Sequence, residues 1–175
     1  MIFYRMRSRV ALLVAALCVA GAHALFAATS TTTFTVTATV SANCTIQATG
    51  ISFTYDPVGA NASTDATATG TVTIACTKGS GPSIGLSAGG HAGAVAGVSR
   101  AMANGSEMLG YELYQPTAAP GNAGVWTDIG GANPLNTGLS PGKAPRSYTV
   151  SGKIPKAQDV GVGTYNDTVT ATVNF

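Results

Sequence analysis

The sequence has one long apolar run, at its start, and none after it. Residues 1–24 place Arg5, Arg7 and Arg9 ahead of the stretch VALLVAALCVAG and end in Ala-His-Ala. Basic residues, a short apolar run and a small-x-small end are typical of a cleaved signal peptide, so we expect the mature chain to start near Leu25. An uncleaved anchor is the alternative, although about a dozen apolar residues are too few for a comfortable span. We predict an exported protein with no integral membrane segment after cleavage.

Charged side chains are also scarce. They make up 9% of the residues, and without the three arginines of the leader six basic and seven acidic side chains remain, a net charge of −1. The sequence has no basic patch that would bind nucleic acid or an anionic membrane surface. The composition therefore argues against both as partners.

Histidine and cysteine are too few for metal or hydrolytic chemistry. After the leader only His91, Cys44 and Cys76 remain. An even pair of cysteines in an exported chain favours one disulfide, with two free buried thiols as the alternative. The motifs GLSAG and GLSPG give Ser87 and Ser140 the spelling of a nucleophile elbow, but no histidine follows Ser140, and His91 precedes the aspartates that would complete a triad with Ser87. We predict no catalytic residue, no metal site, no cofactor and no enzymatic activity.

Apolar residues alternate with polar ones in most of the remaining chain. This two-residue period is typical of strands with one buried face, and no stretch has the 3.6-residue period and caps of a long helix. About seven strands with turn signals between them predict one all-β domain, an antiparallel β-sandwich. The alternating segments after the first are GISFTYDP, TGTVTIAC, PSIGL, MLGYELYQP, RSYTVSGKIP and GTYNDTVTATVNF.

The longest alternation lies at the start of the mature chain. From Phe34 to Ile46 every second residue is apolar, which predicts a strand of roughly 40 Å, about twice the usual length. At the other end, the segment 163–175 alternates up to Phe175 with nothing after it to cover its edge, and an uncovered edge pairs with other chains. The first strand either pairs with the last in one domain or is donated to another molecule, and the periodicity fits both.

Several segments together resemble the spore coat protein U domain family, which includes subunits of archaic chaperone–usher pili. The resemblance covers nearly all of the chain after the leader, and its carboxyl-terminal part is the most specific. The matching pieces are TVSANCTI, GISFTYDP, GTVTIACTKG, SRAMANGSEMLGYELYQ, Trp126 and SGKIPKAQDVGVGTYNDTVTATVNF.

The resemblance implies an immunoglobulin-like sandwich that lacks its last strand, which leaves a hydrophobic groove beside the final encoded strand. A periplasmic chaperone fills the groove first, and at the outer-membrane usher the amino-terminal extension of the next subunit replaces it. Residues 25–42 would then be the donor extension and residues 43–175 the pilin domain, with Cys44 bonded to Cys76. The implied donor residues are Phe34, Val36, Ala38 and Val40, and the implied groove residues are Val169, Ala171, Val173 and Phe175.

The function that follows is a structural pilus subunit, which passes through the periplasm and polymerises with identical or related subunits on the surface of a Gram-negative bacterium. Such fibres would serve adhesion and biofilm formation. A non-fibrous protein of a spore or cell coat is the second interpretation. The third is a secreted carbohydrate-binding domain in which Trp126 stacks on sugar together with Tyr55, Tyr111 and Tyr114, although core packing explains these aromatic residues as well.

Overall fold

The computed structural model describes residues 27–116 and 124–175. The predicted signal peptide, residues 1–24, lies outside them. The chain divides into two units, Met1–Ala38 and Thr39–Phe175. In the first unit, residues 27–38 form no helix or strand and their side chains are exposed. No helix in the described part of the chain is both long and apolar enough to cross a membrane.

In its described residues, the second unit consists of strands, the loops between them and one turn of 3-10 helix. All strand pairs are antiparallel, and they form a five-stranded sheet in the order β1-β2-β7-β5-β4 and a three-stranded sheet in the order β6-β3-β8. The predicted all-β antiparallel sandwich is confirmed. The elements are β1 (Cys44–Thr49), the 3-10 turn (Ala60–Ala62), β2 (Ala66–Cys76), β3 (Ser83–Leu86), β4 (Arg100–Asn104), β5 (Glu107–Tyr114), β6 (Leu135–Asn136), β7 (Arg146–Ile154) and β8 (Ala171–Asn174).

The core lies where the alternation of β2, β5 and β7 places it. In β2 the apolar residues Val72 and Ile74 point inward and are buried, whereas the threonines of the strand are partly or fully exposed. A one-residue shift of register would exchange these faces, so the pattern fixes the strand pairing. The buried apolar residues are Ala66, Val72, Ile74, Cys76, Ile84, Leu86, Ala101, Leu109, Tyr111, Leu113, Tyr114, Trp126, Val150 and Ile154.

In this single chain, three of the predicted strands are shorter than predicted or absent. The strand predicted over 34–46 begins only at Cys44, and the segment 51–55 is not a strand although Ile51, Phe53 and Tyr55 pack on the core. The last strand is confined to Ala171–Asn174. Alternation records which face of an extended segment is apolar, whereas a strand also needs a partner that accepts its backbone hydrogen bonds. These three segments have an apolar face, but their backbones lack a continuous ladder of hydrogen bonds to a neighbouring strand.

Strand β4 was not predicted, and its Arg100 connects the two sheets. The buried guanidinium donates hydrogen bonds to the carbonyls of Leu86 and Ser87 at the end of β3, at 3.0 and 2.9 Å, and to that of Trp126. Its Nη1 lies 3.4 Å from Oε2 of Glu112, which is also buried. Burial lowers the pKa of Arg100, and the charge of Glu112 opposes that effect. A charge in this position is tolerated because each of the three guanidinium nitrogens has an acceptor and a carboxylate lies beside it.

Candidate functional site

An apolar groove of about 420 Å³ opens between two extended segments of the second unit. One wall, which we call the front wall, is formed by residues 165–171. The opposite wall contains residues 48–51 and Phe53. The floor consists of core side chains from β2, β3, β4, β5 and β7, namely Val72, Leu86, Met102, Tyr111, Leu113 and Val150.

The front wall turns an unused backbone edge toward the groove. On its outer side, Asn166 exchanges two backbone hydrogen bonds with Ala103 of β4, at 2.9 and 3.0 Å, and the carbonyl of Thr170 accepts one from Ser87 at 2.9 Å. Because successive residues of an extended chain direct their N–H and C=O groups to opposite sides, those of Asp167 and Val169 face the groove. Among the described residues, neither N–H donates to a backbone carbonyl. This edge can pair with an incoming strand.

The opposite wall lies close against the five-stranded sheet at two glycines. A Cβ atom at Gly70 would lie 2.7 Å from Ile51, and one at Gly152 would lie 2.5 Å from Phe53. The segment continues to Tyr55, whose hydroxyl donates to the carbonyl of Pro155 at 3.1 Å. A side chain at Gly70 would also meet the backbone carbonyl of Thr49, at 2.8 Å, and push this wall off the sheet, whereas one at Gly152 would displace the Phe53 ring.

A disulfide fixes the strand that leads into this wall. Cys44 and Cys76 are partners in the β1–β2 register, with an S–S distance of 2.07 Å. Strand β1 runs from Cys44 to Thr49, and the wall begins in its last two residues. The cross-link thus holds the wall-forming segment to β2 at its origin.

Asp167 anchors the front wall from behind. Its carboxylate, only 3% exposed, accepts hydrogen bonds from the Tyr111 hydroxyl at 2.6 Å and from the backbone N–H groups of Gly90 and Thr168, both at 2.8 Å. Burial and the bond to Asp167 raise the pKa of Tyr111, so its hydroxyl stays protonated and remains a donor. His91 Nδ1 lies 3.9 Å from Oδ1 of Asp167, too far for a hydrogen bond.

The predicted donor residues are exposed, and two of the four predicted groove residues line the groove. Phe34, Val36 and Val40 are 84%, 81% and 80% exposed, and Ala38 is exposed as well. Of the groove residues, Val169 and Ala171 line the cavity. Val173 packs on the core in β8, paired with Ile84 of β3, and Phe175 lies just past β8 and is 51% exposed.

The features that could have suggested an enzyme have structural roles. The Ser87 hydroxyl accepts a hydrogen bond from the Thr170 N–H at 2.9 Å, and the buried Ser140 accepts one from Arg146 at 2.9 Å. Within the described ranges no cluster of His, Cys, Asp and Glu could hold a metal ion.

Trp126 is fully buried, and its Nε1 donates to the carbonyl of Ile84 at 2.8 Å. A sugar-stacking platform built on Trp126 is therefore excluded by its position.

Sequence reasoning missed the opposite wall, most of the floor and the anchoring role of Asp167. The wall had a detectable signal, because glycine inside a strand pattern marks close approach of another segment. Gly70 and Gly152 are such glycines, and Ile51 and Phe53 are what approaches them. The floor comes from strands far apart in sequence, so no local pattern identifies it.

The fold and the groove define the class: an all-β sandwich with an apolar groove beside a free backbone edge. Residues 30–172 match the Spore Coat Protein U domain family. Over 129 residues the chain is 36% identical to Protein U of Myxococcus xanthus, in a match that covers 70% of this chain and 69% of that protein. The protein belongs to the Spore Coat Protein U domain family.

A solved structure shares the fold. The crystal structure of the CsuC-CsuE chaperone-tip adhesion subunit pre-assembly complex, from archaic chaperone-usher Csu pili of Acinetobacter baumannii, contains a chain that matches 78% of this one with a TM-score of 0.54 and 22% sequence identity. This chain spans 41% of the length of that chain. The likeness is one of architecture.

Proposed function

We propose that this protein is a structural subunit of a surface pilus, assembled head to tail by donor-strand exchange along the chaperone–usher route. The observation that carries the proposal is the groove beside the free edge of Asp167 and Val169. An added strand gains main-chain hydrogen bonds from such an edge and specificity from pockets for alternate side chains. Val169, Ala171, Val173 and Phe175 are the proposed acceptor residues.

The same chain carries a segment of matching character. Phe34, Val36, Ala38 and Val40 are exposed and fall on one face of an extended chain. Burying one Phe and two Val stabilises a complex by roughly 5–8 kcal/mol before the entropic cost of association. A subunit that donates one strand and accepts another makes a heterologous contact, which generates an open filament. We assign residues 25–42 to the donor extension and residues 43–175 to the pilin domain.

The partners follow from the need to cover the groove. An exposed apolar groove promotes non-specific association, so we infer that a periplasmic chaperone occupies it until an outer-membrane usher exchanges the chaperone for the next subunit. The fold shared with a chain of a chaperone–subunit complex supports this route. We propose that the chain is exported through its signal peptide, passes through the periplasm and is displayed on the surface of a Gram-negative bacterium. Fibres of this kind would serve adhesion and biofilm formation, and we propose no catalytic role.

A structural protein of a spore or cell coat is the second candidate. The family description and the 36% identity to Protein U favour it. The same strand exchange would then link subunits into a layer without a regular fibre. The carbohydrate-binding interpretation loses its main support, because Trp126 is buried in the core.

The test compares the mature chain with a form that lacks residues 25–42, each exported to the periplasm with a chaperone of this type. On gels of unheated samples, we expect the mature chain to give a ladder of oligomers and the truncated form to remain bound to the chaperone. Electron microscopy of the oligomers separates a fibre from a coat. Two forms that are equally monomeric, both without chaperone, would refute strand exchange.

A further inference from the structure

The front wall is supported from outside the groove by residues 87–91, which we call the rear loop. We propose that Asp167 is a positioning residue for strand capture, because it ties the front wall to the rear loop and holds the free backbone edge extended before a guest strand arrives. This inference rests on the proposed function and concerns how the same groove is made ready. It assigns a role to a charged residue in an otherwise apolar site.

Between its two points of regular pairing, the front wall depends on side chains. Asn166 is fixed to β4, and regular pairing with β3 begins at Ala171. Over residues 167–170, Asp167 accepts hydrogen bonds from the Gly90 N–H and the Tyr111 hydroxyl. The Thr170 N–H donates to the Ser87 hydroxyl, and the Thr170 carbonyl accepts from the Ser87 N–H. The part of the wall that carries the free edge is thus the part that lacks a continuous ladder.

The contact between Asp167 and the rear loop is sterically exacting. Gly89 has φ +78°, a conformation that favours glycine, and a Cβ atom there would lie 1.9 Å from Oδ2 of Asp167. The carboxylate therefore fills the space that a side chain at Gly89 would occupy. In that position its two oxygens reach Tyr111 on one side and Gly90 on the other. The loop and the carboxylate fit only as a pair.

This arrangement affects binding more than folding. A guest strand needs the N–H and C=O groups of consecutive wall residues at fixed spacing and direction. Without Asp167, the backbone of residues 167–169 is held only at its two ends, by Asn166 and Thr170, and can rotate its polar groups toward water. Of the strands that form the core, β2 and β7 make no hydrogen bond to Asp167, and β5 makes one, from the Tyr111 hydroxyl. The expected defect is therefore in capture of a strand by a folded domain.

The experiment uses the full mature chain with Val36→Asp, which we expect to be unable to donate its own strand. A fluorescent peptide of residues 31–43 serves as the guest, and its binding is followed by anisotropy. The test variants Asp167→Ala and Gly89→Ala break the contact from its two sides. Asp159→Asn is the control for loss of an acid. Gly79→Ala is the control for glycine, since Gly79 has φ +85° and a Cβ atom there would meet no heavy atom within 4 Å.

We expect both test variants to bind the peptide about tenfold more weakly than the background and both controls to bind as the background does. Asp167→Asn keeps one acceptor oxygen, so its affinity for the peptide should lie between those of the test variants and the controls. It also replaces Asp167→Ala in the comparison if that variant fails to fold. Hydrogen exchange without peptide should quicken over residues 165–170 and at Gly90, whose N–H donates to Asp167, and should stay unchanged in β2 and β7. A purely structural role would lower the unfolding midpoint and leave peptide affinity intact.

The outcomes separate the two proposals. If the background binds the peptide and Asp167→Asn and Gly89→Ala bind it equally well, the positioning role is overturned and strand capture stands. If the background itself binds no peptide, strand exchange fails, and the inference fails with it.

Discussion

Cys44 and Cys76 face each other directly across β1 and β2 and are joined by a disulfide. Replacing both with alanine should lower the free energy of unfolding by about 3–4 kcal/mol, because the bond closes a loop of 32 residues in the unfolded chain. Denaturant unfolding of the oxidised protein and of the double variant measures the difference.

A second directly opposed pair on the same strands provides the control. Thr49 and Thr71 face each other in the same register, and replacing both with alanine should cost under about 1 kcal/mol. Loss of the two cysteines at no greater cost than loss of the two threonines would contradict a role for the disulfide in holding β1.

The donor segment should be sensitive to charge on one face only. Val36→Asp should block assembly, because it places an unpaired charge in an apolar groove. Thr37→Asp, one residue further on and on the opposite face, should assemble. Unheated-gel ladders of the two variants measure the contrast, and chaperone binding should be equal in both. Equal assembly of the two would place the donor contact elsewhere in the chain.

The ion pair of Arg100 and Glu112 should contribute strongly to stability. Arg100→Met leaves Glu112 buried without its cation and removes three donors to carbonyls, so we expect a loss of about 3–5 kcal/mol in unfolding free energy. The partly exposed pair of Lys153 and Asp65, at 3.5 Å, is the control, and Asp65→Asn should cost under about 1 kcal/mol. Chemical unfolding at pH 7 compares them; similar losses would show that the inter-sheet role of Arg100 is minor.

Acid should loosen the start of the front wall. Hydrogen bonds from the Gly161 N–H and the Tyr165 hydroxyl hold the pKa of Glu107 below its ordinary value of 4.5. A carboxyl whose pKa is lower in the folded state stabilises the fold at any pH above its unfolded-state pKa. That stabilisation is lost as the pH falls through its folded-state pKa. The stability difference between wild type and Glu107→Gln should therefore be full at pH 7 and shrink below about pH 4.5. Tyr165→Phe, which removes one donor, should show a smaller change of the same sign.

Thermal unfolding from pH 3 to pH 7 measures this difference. Comparing each variant with wild type at every pH cancels the effect of other acids, such as Asp56, whose pKa is also lowered by backbone hydrogen bonds. A difference that stays constant over the whole range would show that Glu107 does not gain stability from these donors in solution.

Local alternation predicted the parts of the fold that lie in continuous ladders. Val72, Leu113 and Val150 are buried as the pattern of β2, β5 and β7 indicates. Strand β4 was not predicted because it lies in a segment rich in alanine and glycine. In addition, Arg100 has the sequence character of a surface residue, and only the fold brings Glu112 and the carbonyls of β3 into contact with it. Burial of a charge depends on partners distant in sequence.

The candidate site was predicted only in part, because it too depends on contacts between residues distant in sequence. The free edge near Val169 follows from alternation in the last segment, but its geometry depends on Gly89 and Asp167, which meet only in the folded domain. A glycine in a loop and an acid in an alternating segment carry no local sign of that contact. The resemblance to a family located the wall, and the folded structure revealed its support.

The buried Trp126 has a practical consequence for the unfolding and binding measurements. It is the one tryptophan in the sequence, and its backbone N–H donates at 2.8 Å to the carbonyl of Leu113, a residue of the groove floor. Its fluorescence should therefore report a dry interior in the folded domain and shift to longer wavelength when the two sheets separate. Because it shares the buried core with Leu113 of the floor, the same emission offers a label-free optical signal for occupation of the groove.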